Sequence, residues 1–260
     1  MGEGHKAVKL SERLRTVAGM VTKGHIVCDA GCDHGFVSIY LVREGISPKA
    51  IAMDVNEGPL RAAGEHVREF GLADYIETRL SDGVAALSPG EADTLICAGM
   101  GGRLIKRIME EGKEKIRQMQ EMILQPQSEI GAVREYLRKE GYSIADENMV
   151  LEEGKYYPVI KALPAFSMQE ALKTDGKRLA DRAEQGGEQG DAGWHKIEDK
   201  YGPVLLNKKD PVLEDYLRRE QKLCMQIMEN LRKNGRETQR RQEEIEDRMR
   251  GIEAALSCYR

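Results

Sequence analysis

The chain has 260 residues, 40 Lys and Arg against 44 Asp and Glu for a formal charge of -4, and 40 % hydrophobic residues. That length and apolar share suit one large domain, or one domain with an appendage, and exclude a wholesale basic coat. No apolar run approaches the roughly 20 residues of a membrane span, and the first residues lack the apolar stretch of a secretory leader. Five cysteines without metal-type spacing fit free thiols in a cytoplasmic protein with no bound metal.

In chain order, Met1–His25 carries Lys6, Lys9, Arg13, Arg15 and Lys23 against Glu3 and Glu12, and reads equally as a solvated helix or a binding face. Ile26–Ala30, Ala50–Asp54, Ile76–Leu80, Thr94–Ala98 and Met122–Gln125 then read as short buried strands. Between them Phe36–Glu44, Pro59–Phe70, Leu104–Glu111 and Glu129–Glu140 have helical periodicity. In the last of these Ile130, Val133 and Leu137 face inward, with Arg134 and Arg138 outward. Strands alternating with helices predict an α/β fold with a mainly parallel sheet covered on both faces. Tyr142–Leu151 and Tyr156–Leu163 flank Glu-Glu-Gly-Lys and predict an edge hairpin, bringing the sheet to seven strands.

Composition shifts at Pro164. Residues 166–202 read as a flexible Gly-rich linker, Ala183–Gly193 above all, because they have little to bury. Beyond Pro211 two helical stripes appear, Leu213 through Leu231 and Thr238 through Leu256, separated by Asn234-Gly235. They predict an antiparallel, coiled-coil-like hairpin with arms of about 30–37 Å. The expected division is therefore a first domain over 1–165, a linker over 166–202 and a helical hairpin over 203–260.

The chemistry concentrates in turns at strand ends. Ile26–Phe36 runs from a strand through Gly31 and Gly35 into a helix, the place where open α/β sheets bind ligands. Asp33 stands where a dinucleotide fingerprint has its second glycine, and its charge disfavours a pyrophosphate. Asp29, Asp33 and Asp54 suit instead the amino group, sulfonium and ribose hydroxyls of S-adenosyl-L-methionine. The 23-residue step from Gly31 to Asp54 is near the roughly 20 expected for a ribose-binding acid. Asp82 and Gly83 follow the third strand, where an Asp can accept from an adenine amino group. Ala98, Gly99, Met100 and Gly101 follow the fourth, and Gln125 ends the fifth.

Leu10-Ser-x-Arg13-Leu14, Asp29-Ala-Gly31-x-Asp33-His34, Glu57-Gly58-Pro59, Ala98 through Gly102, Leu124-Gln125-Pro126 and Tyr157 together resemble the bacterial TrmK family. That family methylates N1 of the adenine at position 22 of tRNA. The resemblance covers Leu10 to about Pro164 and implies a Rossmann-like class I methyltransferase domain followed by a helical, coiled-coil domain. It implies Asp33, with His34 beside it, at the reacting end, Asp29 at the methionine portion of the cofactor, and Tyr157 as a stacking partner. Lys9, Arg13, Arg218 and Arg219 are expected to meet tRNA phosphates, and the enzyme is expected to act as a monomer. The chain departs from the family in its Gly-rich 166–200 segment and in carrying Asp54 where some members have Glu. Three rivals stand at this point: a non-catalytic RNA-binding adaptor that kept the fold, a methyltransferase acting on a small molecule or protein, and an NAD-dependent oxidoreductase, which Asp33 disfavours.

Overall fold

A computed structural model describes residues 8–164, 188–234 and 239–260. The predicted strands form one seven-stranded sheet, with β1 at Val27–Ala30, β2 at Ala50–Asp54, β3 at Ile76–Leu80, β4 at Thr94–Met100 and β5 at Glu121–Pro126. β6 (Ser143–Glu152) and β7 (Lys155–Leu163) make the hairpin, and the order across the sheet is β3-β2-β1-β4-β5-β7-β6. β1 to β5 are parallel, and β7 runs antiparallel to both its neighbours. β1, β2 and β5 are buried along their whole length, as strands covered on both faces must be.

Side chains alternate between two cores. Cys28, Met53, Leu95 and Leu124 point to one face, covered by α4 (Gly102–Glu111) and α6 (Ile130–Lys139), with the short α5 (Lys113–Ile116) between them. Val27, Ala52, Ile96 and Ile123 point to the other, covered by α1 (Glu12–Gly19), α2 (Phe36–Arg43) and α3 (Glu57–Glu69). Ser11 caps α1, its Oγ accepting from the Leu14 amide at 3.3 Å.

After β7 the described chain resumes in α7 (Glu188–Tyr201), followed by α8 (Pro203–Asn207), α9 (Pro211–Asn234) and α10 (Gln239–Ser257). Helix α7 corrects the linker expectation over residues 188–201; residues 165–187, Gly235 and Thr238 lie outside the described residues. Its composition reads as loop because the apolar partners of Ile197 and Tyr201 are supplied by α9 and α10, far along the chain. Asp210 caps α9, its Oδ1 accepting from the amides of Val212 and Leu213 at 2.9 and 3.0 Å, with Pro211 in the first helical position. The expected stripes meet: Leu213, Leu217 and Cys224 pack with Ile245, Ile252 and Leu256 in a third core. Contacts between Glu220 and Arg248, and from Tyr259 Oη to the Asp210 carbonyl at 3.0 Å, show α9 and α10 to be antiparallel.

A second correction concerns α6. Arg138 is outward and pairs with Asp199 at 2.6 Å, but Arg134 is only 1 % exposed. Its Nε donates to Glu147 on β6 at 2.7 Å, and its Nη1 donates to the Asp199 and Lys200 carbonyls at the end of α7. Glu147, also buried, accepts from the Val204 and Leu205 amides that open α8, at 3.0 and 3.4 Å. Gly202 is obligatory between these groups: its φ is +100°, and a Cβ there would fall 2.7 Å from Glu147 Oε2. Replacing Arg134 by Leu should therefore cost about 3–5 kcal/mol by leaving Glu147 buried and unpaired. Arg138→Ala, which breaks a surface pair, should cost at most about 1 kcal/mol. Urea unfolding of the two variants makes the comparison.

Candidate active site

The carboxyl ends of β1 and β4 diverge at the centre of the sheet, where strand order reverses. The turn leaving β1 is tied to β2, the amides of Gly31 and Cys32 both donating to the Met53 carbonyl at 2.8 and 2.9 Å. Gly35 is needed because its φ is +73° and a Cβ would meet that of Ala63 on α3 at 3.1 Å. Asp33 adopts a left-handed φ of +51° without being glycine, and its side chain is 73 % exposed at the crevice. Such a residue costs conformational energy, and the neighbouring bonds hold it there. The Asp33 amide donates to Asp54 Oδ2 at 3.3 Å, while Asp54 Oδ1 accepts from the Asn56 amide at 2.8 Å. His34 Nε2 lies 3.7 Å from Asp33 Oδ1, and the His34 carbonyl accepts from His66 Nδ1 at 3.0 Å.

Asp29, Asp33 and Asp54 thus gather around one turn, in three different environments. Asp29 is buried under the turn and accepts from Ser38 Oγ at 2.9 Å. Burial raises its pKa to about 6; the Ser38 bond opposes that rise and the charge of Asp54 adds to it. Asp54 is nearly buried at the end of β2, and Asp33 faces solvent.

The second wall comes from β4 and β5. Their register slips between Ala98 and Met100, and Gly99 at φ +78° turns its amide out of the ladder. That amide donates to Gln125 Oε1 at 3.0 Å, and Arg13 Nη1 from α1 donates to the same oxygen at 2.7 Å. The Arg13 guanidinium also lies over the Tyr157 ring, 5.4 Å from its centroid, with its Nε 3.9 Å from Glu152. Gly101 and Gly102 serve packing: Cβ atoms there would sit 3.1 Å from Ser128 Oγ and 2.6 Å from the Ser128 carbonyl. Met100 reaches across to the β1 turn, its Cε 2.8 Å from where a Gly31 Cβ would be.

Asp82 and Gly83 follow β3, but Asp82 is held by two bonds from Arg107 on α4, at 2.8 and 2.9 Å. Those bonds lower its pKa. Gly83 makes room for Ile108, whose Cγ1 would lie 2.9 Å from an added Cβ. Lys9 is exposed on the approach to α1. Arg218 on α9 pairs with Glu214 at 2.6 Å, and Arg219 lies over Tyr156, whose hydroxyl donates to Asp215 at 2.5 Å. Adjacent tyrosines of β7 therefore face different partners, Tyr157 the Arg13 cluster and Tyr156 the base of α9.

Two residues outside the sequence expectations stand at the crevice. Val55 and Leu80, at the ends of β2 and β3, are 58 % and 52 % exposed. An apolar residue directly after the strand-closing Asp54 was the available signal. Among the described residues no group of three His, Cys, Asp or Glu side chains could hold a metal, and no helix is long and apolar enough to cross a membrane.

The buried Asp29 makes stability pH-dependent. Its folded carboxyl keeps a proton to about pH 6, whereas the unfolded one loses it near 3.8. The folded state therefore binds more protons between those values, and stability falls as pH rises through that window, by roughly 3 kcal/mol from this group. Asp29→Asn should remove that part of the slope between pH 4 and pH 6 in urea titrations of the ligand-free protein.

A family model described as a methyltransferase domain matches residues 10–160. The tRNA (adenine(22)-N(1))-methyltransferase of Bacillus subtilis is 40 % identical over 155 residues, which are 60 % of this chain and 65 % of that protein, just under two thirds of its length. The crystal structure of the B. subtilis m1A22 tRNA methyltransferase TrmK is similar at a TM-score of 0.75 and 32 % identity, covering 96 % of this chain and all of that one. A Streptococcus pneumoniae protein, a putative tRNA (m1A22) methyltransferase solved in complex with S-adenosyl-L-methionine, is similar at 0.75 and 28 % identity, again over its full length. With the domain match over more than half its residues and the TrmK structure matched from end to end, the chain belongs to the TrmK family of methyltransferases.

Proposed function

We propose that this protein transfers a methyl group from S-adenosyl-L-methionine to N1 of an adenine in tRNA, the adenine at position 22. The observation that carries this reading is the carboxylate-lined glycine turn at the switch point between β1 and β4, in a chain that aligns end to end with an m1A22 enzyme.

The donor set fits that cofactor. Asp29 would hold its amino group, and an ammonium there would lower the raised pKa of the Asp29 carboxyl and favour its ionised form. Asp54 would take the ribose hydroxyls on lone pairs left free by its two amide donors. Val55 and Leu80 offer apolar surface to the adenine faces, and Asp82, kept ionised by Arg107, an acceptor for the adenine amino group. The backbone of Gly31, Gly35 and Gly83 and of Ala98 through Gly101 would line the remainder, with Gln125 buried behind Gly99 and holding its amide. A dinucleotide would instead bring its pyrophosphate against the exposed Asp33 carboxylate.

When bound, the cofactor supplies a sulfonium methyl, whose bond to sulfur breaks as the bond to adenine N1 forms, leaving the positive charge on the base. Adenine N1 carries its own lone pair, so the protein need not remove a proton, and His34 is required only as a polar neighbour. Positioning supplies most of the acceleration, and Asp33 at the crevice mouth stabilises the charge arriving on the base. N1 lies on the pairing edge, so the base must leave its tRNA contacts. Tyr157 offers a ring for it to stack on, the other face of that ring being covered by Arg13. Lys9, Arg218 and Arg219 supply phosphate contacts, Arg218 because its side chain stays 64 % exposed beside Glu214 and can exchange that surface pair for a phosphate. A tRNA substrate places the enzyme in the cytoplasm. The five thiols, all free, agree with that compartment. We take the monomer as the working unit.

Methyl transfer from labelled cofactor to unmodified tRNA, with the product nucleoside identified after digestion, tests the reading; the expected product is N1-methyladenosine at one position. Asp33→Ala should lower kcat by roughly 100-fold or more with its circular dichroism unchanged. Lys9→Gln and Arg218→Gln should each weaken tRNA binding and reduce the salt dependence of its logarithm by about one phosphate contact. The KM for the cofactor should not move in either variant.

A further inference from the structure

We propose that Arg13 is a positioning residue of the transfer site, fixing Gln125 and through it the amide of Gly99, and not a grip for a tRNA phosphate. What the site does rests on the methyl-transfer reading; what Arg13 does rests on its contacts.

Gln125 is fully buried at the end of β5. Its side-chain oxygen accepts from two donors, Arg13 Nη1 at 2.7 Å and the Gly99 amide at 3.0 Å. Because both partners can only donate, the orientation of this amide group is decided: turning it over would set an NH2 against two N–H groups. The chosen orientation leaves Gln125 Nε2 buried with no hydrogen-bond partner among the described residues. A buried donor left unmatched is unfavourable, so the two bonds on the oxygen dominate the choice.

Gly99 has left the β4–β5 ladder at the register slip, and it is exposed at the crevice. The bond to Gln125 is what holds its amide. Arg13, for its part, has little left to offer an anion. Its side chain is only 18 % exposed, one face lies over Tyr157, and the Glu152 carboxylate is already 3.9 Å from its Nε. A phosphate approaching there would meet that negative charge. One guanidinium thus gathers β4 through Gly99, β5 through Gln125, β6 through Glu152 and β7 through Tyr157. Helix α1, which precedes the first strand of the sheet, becomes part of the wall that shapes the substrate side of the site.

Amide hydrogen exchange on the ligand-free protein reads this directly. Arg13→Gln and Gln125→Ala should each accelerate exchange at Gly99 at least tenfold while leaving Leu95, inside β4, unchanged. Gln125→Glu keeps an acceptor for both donors and should retain the protection. In turnover, Arg13→Gln should lower kcat at least tenfold with tRNA affinity and its salt dependence unchanged. The double variant Arg13→Gln/Gln125→Ala should be no worse than its more damaged parent, because both remove one unit. Unchanged exchange at Gly99 in Arg13→Gln overturns the proposal, as does weaker tRNA binding with a salt dependence reduced by about one phosphate. Should the wild-type protein transfer no methyl to tRNA, the functional reading fails, and the exchange result still decides the role of Arg13.

Discussion

The ion pair between Arg134 and Glu147 joins the two parts of this molecule, and both its members have left water. Burying two charges is costly unless their hydrogen-bonding capacity is filled. Here carbonyls at the end of α7 and amides at the start of α8 complete the set, so the helical part cannot be lifted off without exposing the pair's unmet demands. The pair also anchors β6 beside β7, where Glu147 is opposite Ile160 and Val150 is opposite Tyr157. Strand β7 in turn carries Tyr157 to the Arg13 cluster and Tyr156 to the base of α9. The helical hairpin and the crevice are thereby set in relation to each other through one strand.

Charge in this protein is organised by commitment more than by total. Arg107 belongs to Asp82, Arg79 to Glu77 and Glu91, Arg134 to Glu147, and Arg248 to Glu220. Arg218 and Arg240 on the hairpin pair one helical turn away with Glu214 and Glu244, the ordinary fate of such residues on an exposed helix. A basic residue counts toward nucleic-acid binding only insofar as its donors remain available. On the other side of the ledger, the crevice keeps its carboxylates at one mouth, and burial raises the Asp29 pKa to about 6, so that its charge is held at a cost above that pH.

The sheet, its hairpin and the glycine turn were legible in the residues because each has a local signature. Buried strands of about five residues announce themselves as apolar runs, and Gly31 and Gly35 bracket a single acid, Asp33, at the point where the apolar run stops. Asp54 could be placed at the ligand edge from its position at the end of an apolar run. The two stripes of α9 and α10 likewise follow from three- and four-residue spacing. What misled was environment. Arg134 sits at an outward angle relative to the sheet, yet a second layer of helix lies over that side of α6. Glu188–Tyr201 looks too polar to fold, yet Ile197 and Tyr201 find their partners among residues beyond Pro211.

By itself, then, the sequence determined the order of elements, the parallel core and the cluster of acids at its switch point, because these depend on backbone preference and burial period over a few residues. Only the tertiary structure decided which cations are spent and which are free. Arg13, Arg107 and Arg134 look alike along the chain, and their roles depend on carboxylates, carbonyls and rings more than 12 residues away. Hydrogen-bond donors are claimed by whatever lies within about 3 Å, and distance in space, not in sequence, settles the claim.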